Sequence, residues 1–317
     1  VGVIDCGTNT VRLLIADDAS AGQVGHDPYL ADLVRVLRFV RLGQGVDATH
    51  RFHPDALART FAALDEFAAL IEQHGPLDGL RFLATSAARD ATNRDEFFAG
   101  VKARVGVDPE VISGGEEARL SFLGALAGGN VPGGSVVVMD IGGGSTELIR
   151  GDAAGAVASA QSFDVGSVRL RERFLHDDPP TVGQIAAARD YVASLVDGGD
   201  VPLDGVGTFI GVAGTNTSLS AMAQGLVTYD SMRVHNSSLT TGEISQLAGE
   251  LLTSPVELVR ARYPFLEPMR AEVICAGALI CDEVAQRVKN DMLVRETDIL
   301  DGAALDLLRR GGSPQLP

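Results

Sequence analysis

Cysteine is scarce in this chain. Its 317 residues include three, Cys6, Cys275 and Cys281, with no Cys-x-x-Cys spacing. They offer no paired disulfide framework, so a reducing, cytoplasmic setting is expected. Long apolar runs are missing too: none reaches membrane-spanning length, and no signal-peptide pattern stands at the start. No membrane partner is therefore expected. The chain opens at Val1 directly in an apolar stretch, so an initiator Met and a few residues before it are expected. Positive charge is in deficit, with 26 Lys+Arg against 42 Asp+Glu and a formal net charge of −16. Nucleic-acid affinity rests mainly on cations that neutralise phosphates, so no nucleic-acid partner is expected. A polyanionic substrate stays open if basic residues cluster locally. Three familiar signatures are absent: Gly-x-x-x-x-Gly-Lys-Ser/Thr, Gly-x-Ser-x-Gly, and Gly-x-Gly-x-x-Gly in a strand–helix–strand setting. The six histidines, His26, His50, His53, His74, His176 and His235, are scattered without metal-ligand spacing.

Against these absences stands one conspicuous stretch. Val136-Val137-Val138-Met139-Asp140-Ile141 is an apolar run that ends at an acid, and Gly142-Gly143-Gly144-Ser145-Thr146-Glu147-Leu148 follows. The pattern reads as strand, tight turn, strand. Glycines allow backbone N–H groups to converge on an anion without obstruction by Cβ atoms, and Asp140 is placed to hold a metal or a water. The stretch has an echo: Val3-Ile4-Asp5-Cys6-Gly7-Thr8-Asn9-Thr10 repeats its order, with Asp5 and Asp140 135 residues apart. Solenoid repeats recur every 20–50 residues or so, so this spacing implies duplicated domains.

Between the copies, strands are expected over 35–42, 80–84 and 110–112. Helices are expected over 53–74, from Asn93 as cap to about 105, and over 114–127. Residues 128–134 form a glycine-rich break. It divides an N-terminal domain, 1–128, from a C-terminal one, 129–317. The second half repeats the alternation, with strands over 157–165, 206–213 and 293–295. Its helices are expected over 181–196, 245–252, 269–288 and about 301–310, ahead of a frayed tail at 311–317. The last helix packs either with the second domain or back on the first. Alternating strands and helices in both halves make the chain α/β.

Several residues are candidates for chemistry. The two Asp-x-Gly turns, with Gly7, Thr8 and Asn9 in one and Gly142, Gly143, Gly144, Ser145 and Thr146 in the other, suit phosphate binding. Either alone would serve equally as a plain hairpin turn, but two copies, each ending a buried strand in an acid, suit consecutive phosphates across a cleft. Gly211-Val212-Ala213-Gly214-Thr215-Asn216-Thr217-Ser218 runs from a strand into a helix start. There, unpaired N–H groups and the helix dipole favour an anion, with Gly214 and Thr215 nearest. Glu117 shares a helical stripe with Leu120, Ser121 and Gly124. It is either a general base at a cleft or a helix-start acid complementing the dipole, and Glu116 competes for both roles. Arg12, Arg89, Arg94 and Arg169 stand at turns, where arginine suits bidentate phosphate contacts.

Four stretches together resemble the exopolyphosphatase/guanosine pentaphosphate phosphohydrolase (Ppx/GppA) family. They are Asp5-Cys6-Gly7-Thr8-Asn9-Thr10-Val11-Arg12-Leu13, Gly114-Gly115-Glu116-Glu117-Ala118-Arg119-Leu120, Asp140 through Leu148, and Val212-Ala213-Gly214-Thr215-Asn216-Thr217-Ser218-Leu219. Arg270-Ala271-Glu272-Val273-Ile274 and Gly277-Ala278-Leu279-Ile280 extend the likeness to nearly the whole chain. The resemblance implies two duplicated ribonuclease H-like domains of the actin/hexokinase/Hsp70 superfamily with an interdomain cleft. It also implies Glu117 as the catalytic glutamate, Asp140, Glu147 and Asp5 as metal-facing acids, and Arg89 as a phosphate-binding arginine. Mg²⁺ is the implied cofactor, with a monovalent cation such as K⁺ as a further one, and a homodimer the expected assembly. Departures from the family pattern are Thr8 and Thr10 for serines, Asn216 for a small residue, Glu272 for an aspartate, and Asp301-Gly302 where Arg-Glu-Gly is usual. Longer members carry a helical extension of HD-phosphohydrolase type. With the sequence ending at Pro317, a short form acting on shorter polyphosphate is expected.

The implied reaction is the release of terminal orthophosphate from inorganic polyphosphate by in-line attack of water. The alternatives are removal of the 5′ phosphate from guanosine pentaphosphate, phosphotransfer to ADP or a small acceptor, and a non-catalytic sensor of polyphosphate or nucleotide.

Overall fold

A computed structural model of the chain describes residues 1–19 and 29–311. The tail expected over 311–317 lies, beyond Gly311, outside the described residues. The chain divides into two compact units. One comprises Val1–Ala127 with Asp298–Pro317, the other Gly128–Thr297.

Unit 1 opens with β1 (Gly2–Cys6), β2 (Thr10–Asp18) and β3 (Leu30–Phe39), an antiparallel meander. The third strand begins five residues before the expected 35 and stops short of 42. Then come α1 (Val46–Thr49), α2 (Pro54–His74), β4 (Leu80–Ala84), α3 (Ser86–Asp90), α4 (Arg94–Val105), β5 (Glu110–Val111) and α5 (Gly114–Ala127). The sheet order is β3-β2-β1-β4-β5, with β4 parallel to β1 and β5 parallel to β4. β1 is central and wholly buried, which its β-branched composition suits. Its alternation divides the core. Ile4 and Cys6 join Leu57, Leu64, Phe67 and Phe97 of α2 and α4 on one face, while Val3 joins Leu120 of α5 on the other. Asp5 shares Val3's parity.

Unit 2 contains β6 (Ser135–Ile141), β7 (Thr146–Asp152), β8 (Val157–Phe163), α6 (Ser167–Phe174), α7 (Val182–Asp197), β9 (Thr208–Val212), α8 (Ala213–Ala223) and α9 (Ser231–Val234). It continues with β10 (Ser237–Leu239), α10 (Thr241–Thr253), α11 (Val256–Arg262), α12 (Pro268–Ala271), α13 (Ile274–Val288) and β11 (Met292–Val294). The sheet order is β10-β11-β9-β6-β7-β8. β6, β7 and β8 form an antiparallel meander, and β9 and β11 run parallel to β6. This repeats the five-strand topology of unit 1 and adds β10 at one edge. Both units are mixed sheets with helices, so the chain is a pair of α/β domains. The helix expected over 269–288 is two, broken between Ala271 and Ile274.

The final helix, α14 (Ile299–Arg309), groups with unit 1 and not with the residues preceding it. A single boundary at 128 therefore describes the chain incompletely, because a second crossing falls at Thr297/Asp298. Ile299, Leu300, Ala303, Ala304 and Leu307 fill the core beside Val3, Leu14 and Leu120. Helices α5 and α14 cross at Gly124 and Gly302. A Cβ at Gly124 would overlap the Asp298 carbonyl, and one at Gly302 would overlap that of Leu120.

Candidate functional site

The two glycine turns share one geometry. In the first, the Gly7 N–H donates to the Thr10 carbonyl at 2.9 Å; in the second, the Gly142 N–H donates to Ser145 at 3.0 Å. Each turn is held from behind by the segment after its unit's third strand. The Thr8 carbonyl accepts from the Gly43 N–H at 2.9 Å, and Asn9 accepts from Val40 and Arg41 at 3.0 and 2.9 Å. In unit 2, Gly142 accepts from Ser167 at 3.0 Å, and Gly143 accepts from Val168 and Arg169 at 2.8 and 3.1 Å. The Thr146 hydroxyl donates to the Val165 carbonyl at 2.6 Å. With their carbonyls engaged, the turns keep N–H groups to spare. Among the described residues the N–H groups of Thr8, Asn9, Gly143, Gly144 and Ser145 meet no acceptor. The Thr8 hydroxyl and both polar atoms of the Asn9 amide are likewise buried and unsatisfied. Buried polar groups are normally hydrogen-bonded, so these turns are built to receive a polar ligand.

Beside the turns the two copies differ. Asp5 faces Arg12 across β1 and β2, and Asp140 faces Glu147 across β6 and β7. Arg12 donates from Nε and Nη2 to Asp5 Oδ2 at 3.1 and 2.6 Å, and from Nη1 to Asp298. Burial pushes the Asp5 carboxyl up from its ordinary value against the pull of Arg12, and Asp298 adds to the rise. Asp5 is thus engaged by an arginine through Oδ2. Among the described residues no group of three His, Cys, Asp or Glu side chains is placed to hold a metal ion. Asp140 and Glu147 are both buried, and the Ser162 hydroxyl donates to Glu147 Oε1 at 2.6 Å.

Glu117 stands in the first turn of α5 and is 8% exposed. Arg89, at the end of α3, donates from Nη1 to Glu117 Oε2 at 2.6 Å and to the Ile112 carbonyl at 3.1 Å. Among the described residues both of its bonds leave through Nη1, so its remaining N–H groups stay available. The structure therefore brings together the expected base and the expected phosphate-binding arginine of unit 1. Glu116 is turned elsewhere: Arg119 grips it with two bonds of 2.8 Å. That guanidinium holds its carboxyl below the usual value.

In unit 2 the strand β9 passes into α8 through Ala213, at φ 65°. Gly214 lies against the guanidinium of Arg270, and a Cβ there would overlap it. Thr215 is 1% exposed and packs on Gly277 of α13, so its side chain is committed to the core. Asn216 fastens α8 to the sheet by donating to the carbonyls of Val212 and Met139, at 2.7 and 3.2 Å. Of the other arginines, Arg169 is buried near Asp164, at 3.8 Å, and Arg94 is exposed at the start of α4. Sequence reasoning missed Ser162 and the contact of Arg270 with Gly214. Nothing local marks either: the β7/β8 register shifts between Arg150 and Gly151, so the partner of Glu147 does not follow from counting.

Matched against protein families, residues 19–302 fit the one described as the Ppx/GppA phosphatase family. Exopolyphosphatase 2 of Mycobacterium tuberculosis is 43% identical over 319 aligned residues, covering 97% of this chain and 98% of that protein. A crystal structure of an exopolyphosphatase-like protein superposes with a TM-score of 0.90 at 40% identity, covering 98% of each chain. The Ppx/GppA family member from Aquifex aeolicus gives 0.81 at 30% identity, covering 99% of this chain and 98% of that one.

Proposed function

Because this chain belongs to the Ppx/GppA phosphatase family, we propose that it is an exopolyphosphatase, a phosphoric anhydride hydrolase releasing terminal orthophosphate from inorganic polyphosphate. The observation that carries the reading is the paired turns. Five backbone N–H groups and the buried side chains of Thr8 and Asn9 have no acceptor or partner in the described protein. Convergent N–H groups of this kind favour phosphate oxygens.

Glu117 orients the attacking water and accepts its proton, and Arg89 contributes positive charge through its remaining N–H groups. Positioning and electrostatic stabilisation supply most of the rate in phosphoryl transfer. Asp140 and Glu147 are the residues proposed to hold Mg²⁺. The donor set fits: two buried, directly opposed carboxylates are hard oxygen ligands, and Mg²⁺ is commonly bound by one or two carboxylates together with substrate phosphates. When bound, the ion neutralises charge on the phosphate oxygens. Asp5 is left to anchor Arg12. Cytoplasmic placement is supported by three free, buried thiols.

The test is orthophosphate release from short polyphosphate, long polyphosphate, guanosine pentaphosphate and ATP, with and without Mg²⁺. Release from polyphosphate that requires Mg²⁺ supports the reading. Release from guanosine pentaphosphate alone, or phosphate transfer to ADP without release, overturns it.

A further inference from the structure

The same row of sheet positions carries different chemistry in the two units. Across β4, β1, β2 and β3 the row reads Leu83, Asp5, Arg12, Leu37. Across β9, β6, β7 and β8 it reads Val212, Asp140, Glu147, Ser162. Directly opposed residues on neighbouring strands share a face and interact. In the first row the acid is answered by an arginine, and the position beyond is apolar. In the second the acid is answered by another acid, and the position beyond is a hydroxyl that reaches back to it at 2.6 Å. Two carboxylates directly opposed repel one another, and a cation held between them offsets that repulsion.

We propose that Ser162 is a positioning residue, whose hydroxyl fixes the orientation in which Glu147, together with Asp140, takes a divalent cation. This rests on the reading of Asp140 and Glu147 as the cation pair. A carboxylate in a strand keeps freedom about its outer torsions, and a donor to one oxygen sets the plane of the other. Ser162 is well placed to supply that donor. Its backbone is held by the ladder opposite Glu147, and the next residue, Phe163, is buried in the unit 2 core. Hydrogen-bond partners of ligating groups typically affect metal affinity about 10–100-fold.

The experiment titrates the whole protein with Mn²⁺ as probe and follows the free ion by electron paramagnetic resonance, without substrate. Ser162→Thr and Ser162→Val match in shape and differ in the hydroxyl. The Thr variant is expected to bind Mn²⁺ as the parent does, and the Val variant to bind about 10–100-fold more weakly. Ser162→Ala removes the hydroxyl without adding bulk and is expected to follow Val; it stands in if Val fails a circular-dichroism check of folding. Equal affinity in Thr and Val overturns the proposal, whether both match the parent or both fall. Glu147→Gln separates the two levels. If it binds Mn²⁺ as tightly as the parent does, or if the parent binds none, the reading of the acid pair itself fails.

Discussion

Glu116 and Glu117 are neighbours in sequence, and a helix sets adjacent residues about 100° apart. That angle separates their surroundings. Glu117 is buried against Arg89, and Glu116 is half-buried against Arg119. Replacing Glu117 with glutamine is expected to lower turnover about 10²–10⁴-fold, the usual contribution of a general base, with orthophosphate binding retained. Unchanged turnover would remove Glu117 from the mechanism. Glu116→Gln is expected to leave turnover unaffected and to cost about 0.2–1 kcal/mol, the range for a partly exposed pair. The sign of its pH dependence follows from the depressed carboxyl. The stabilisation is present above the ordinary value of 4.5 and is lost as pH falls through the lower folded value. Urea unfolding at neutral and acid pH should show a smaller difference in the variant than in the parent. The stripe containing Glu117 was legible in its spacing, but its pairing with a residue 28 positions away was not.

At the scale of elements, local chemistry and close approach have to be told apart. Thr181 with Gln184 and Thr240 with Glu243 form reciprocal caps on α7 and α10, as such spacings lead one to expect. Asn93 shows where the rule gives way. It stands at the start of α4 but makes no cap; its amide bonds both backbone groups of Phe52. Long-range demand for satisfied polar groups on the Phe52 segment outweighed the local preference. Gly166 is needed for closeness, because a Cβ there would lie 2.5–2.6 Å from the backbone of Gly143 and Gly144. At Gly214 the obstacle is the far end of the Arg270 side chain, which can move. Gly166→Ala is therefore expected to destabilise by about 1–3 kcal/mol and to displace the phosphate turn, lowering polyphosphate turnover. Gly214→Ala should cost less stability. Thermal midpoints of the two variants check the order; a larger loss at Gly214 would contradict it.

For the whole molecule, the return of α14 to unit 1 is the decisive connection. Asp298 caps α14 and receives Arg12, and Asp301 receives Arg35 from β3. Asp306 meets Arg81, Arg119 and Arg310. Removing the chain from Asp298 onward would strip five apolar residues from the unit 1 core and take one acid partner from each of Arg12, Arg35, Arg81 and Arg119. Burial of a large apolar side chain is worth about 1.5–3 kcal/mol, and a typical domain has about 5–15 kcal/mol in all. A chain ending at Thr297 is therefore expected to lose the folded unit 1. Proteolysis followed by mass spectrometry would check this, and a protected 1–127 fragment from that truncation would contradict it.

The sequence by itself determined the duplication, the two glycine turns and the α/β class. These are properties of short stretches, where glycine placement, apolar alternation and acid spacing act within a few residues. Only the tertiary structure decided which arginines meet Asp5, Glu116 and Glu117, which helix completes which unit, and which hydroxyl donates to Glu147. Those outcomes depend on burial. A carboxylate taken out of water needs a partner wherever the fold brings one: Asp5 takes Arg12 from the neighbouring strand, and Asp298, at the far end of the chain, takes the same guanidinium.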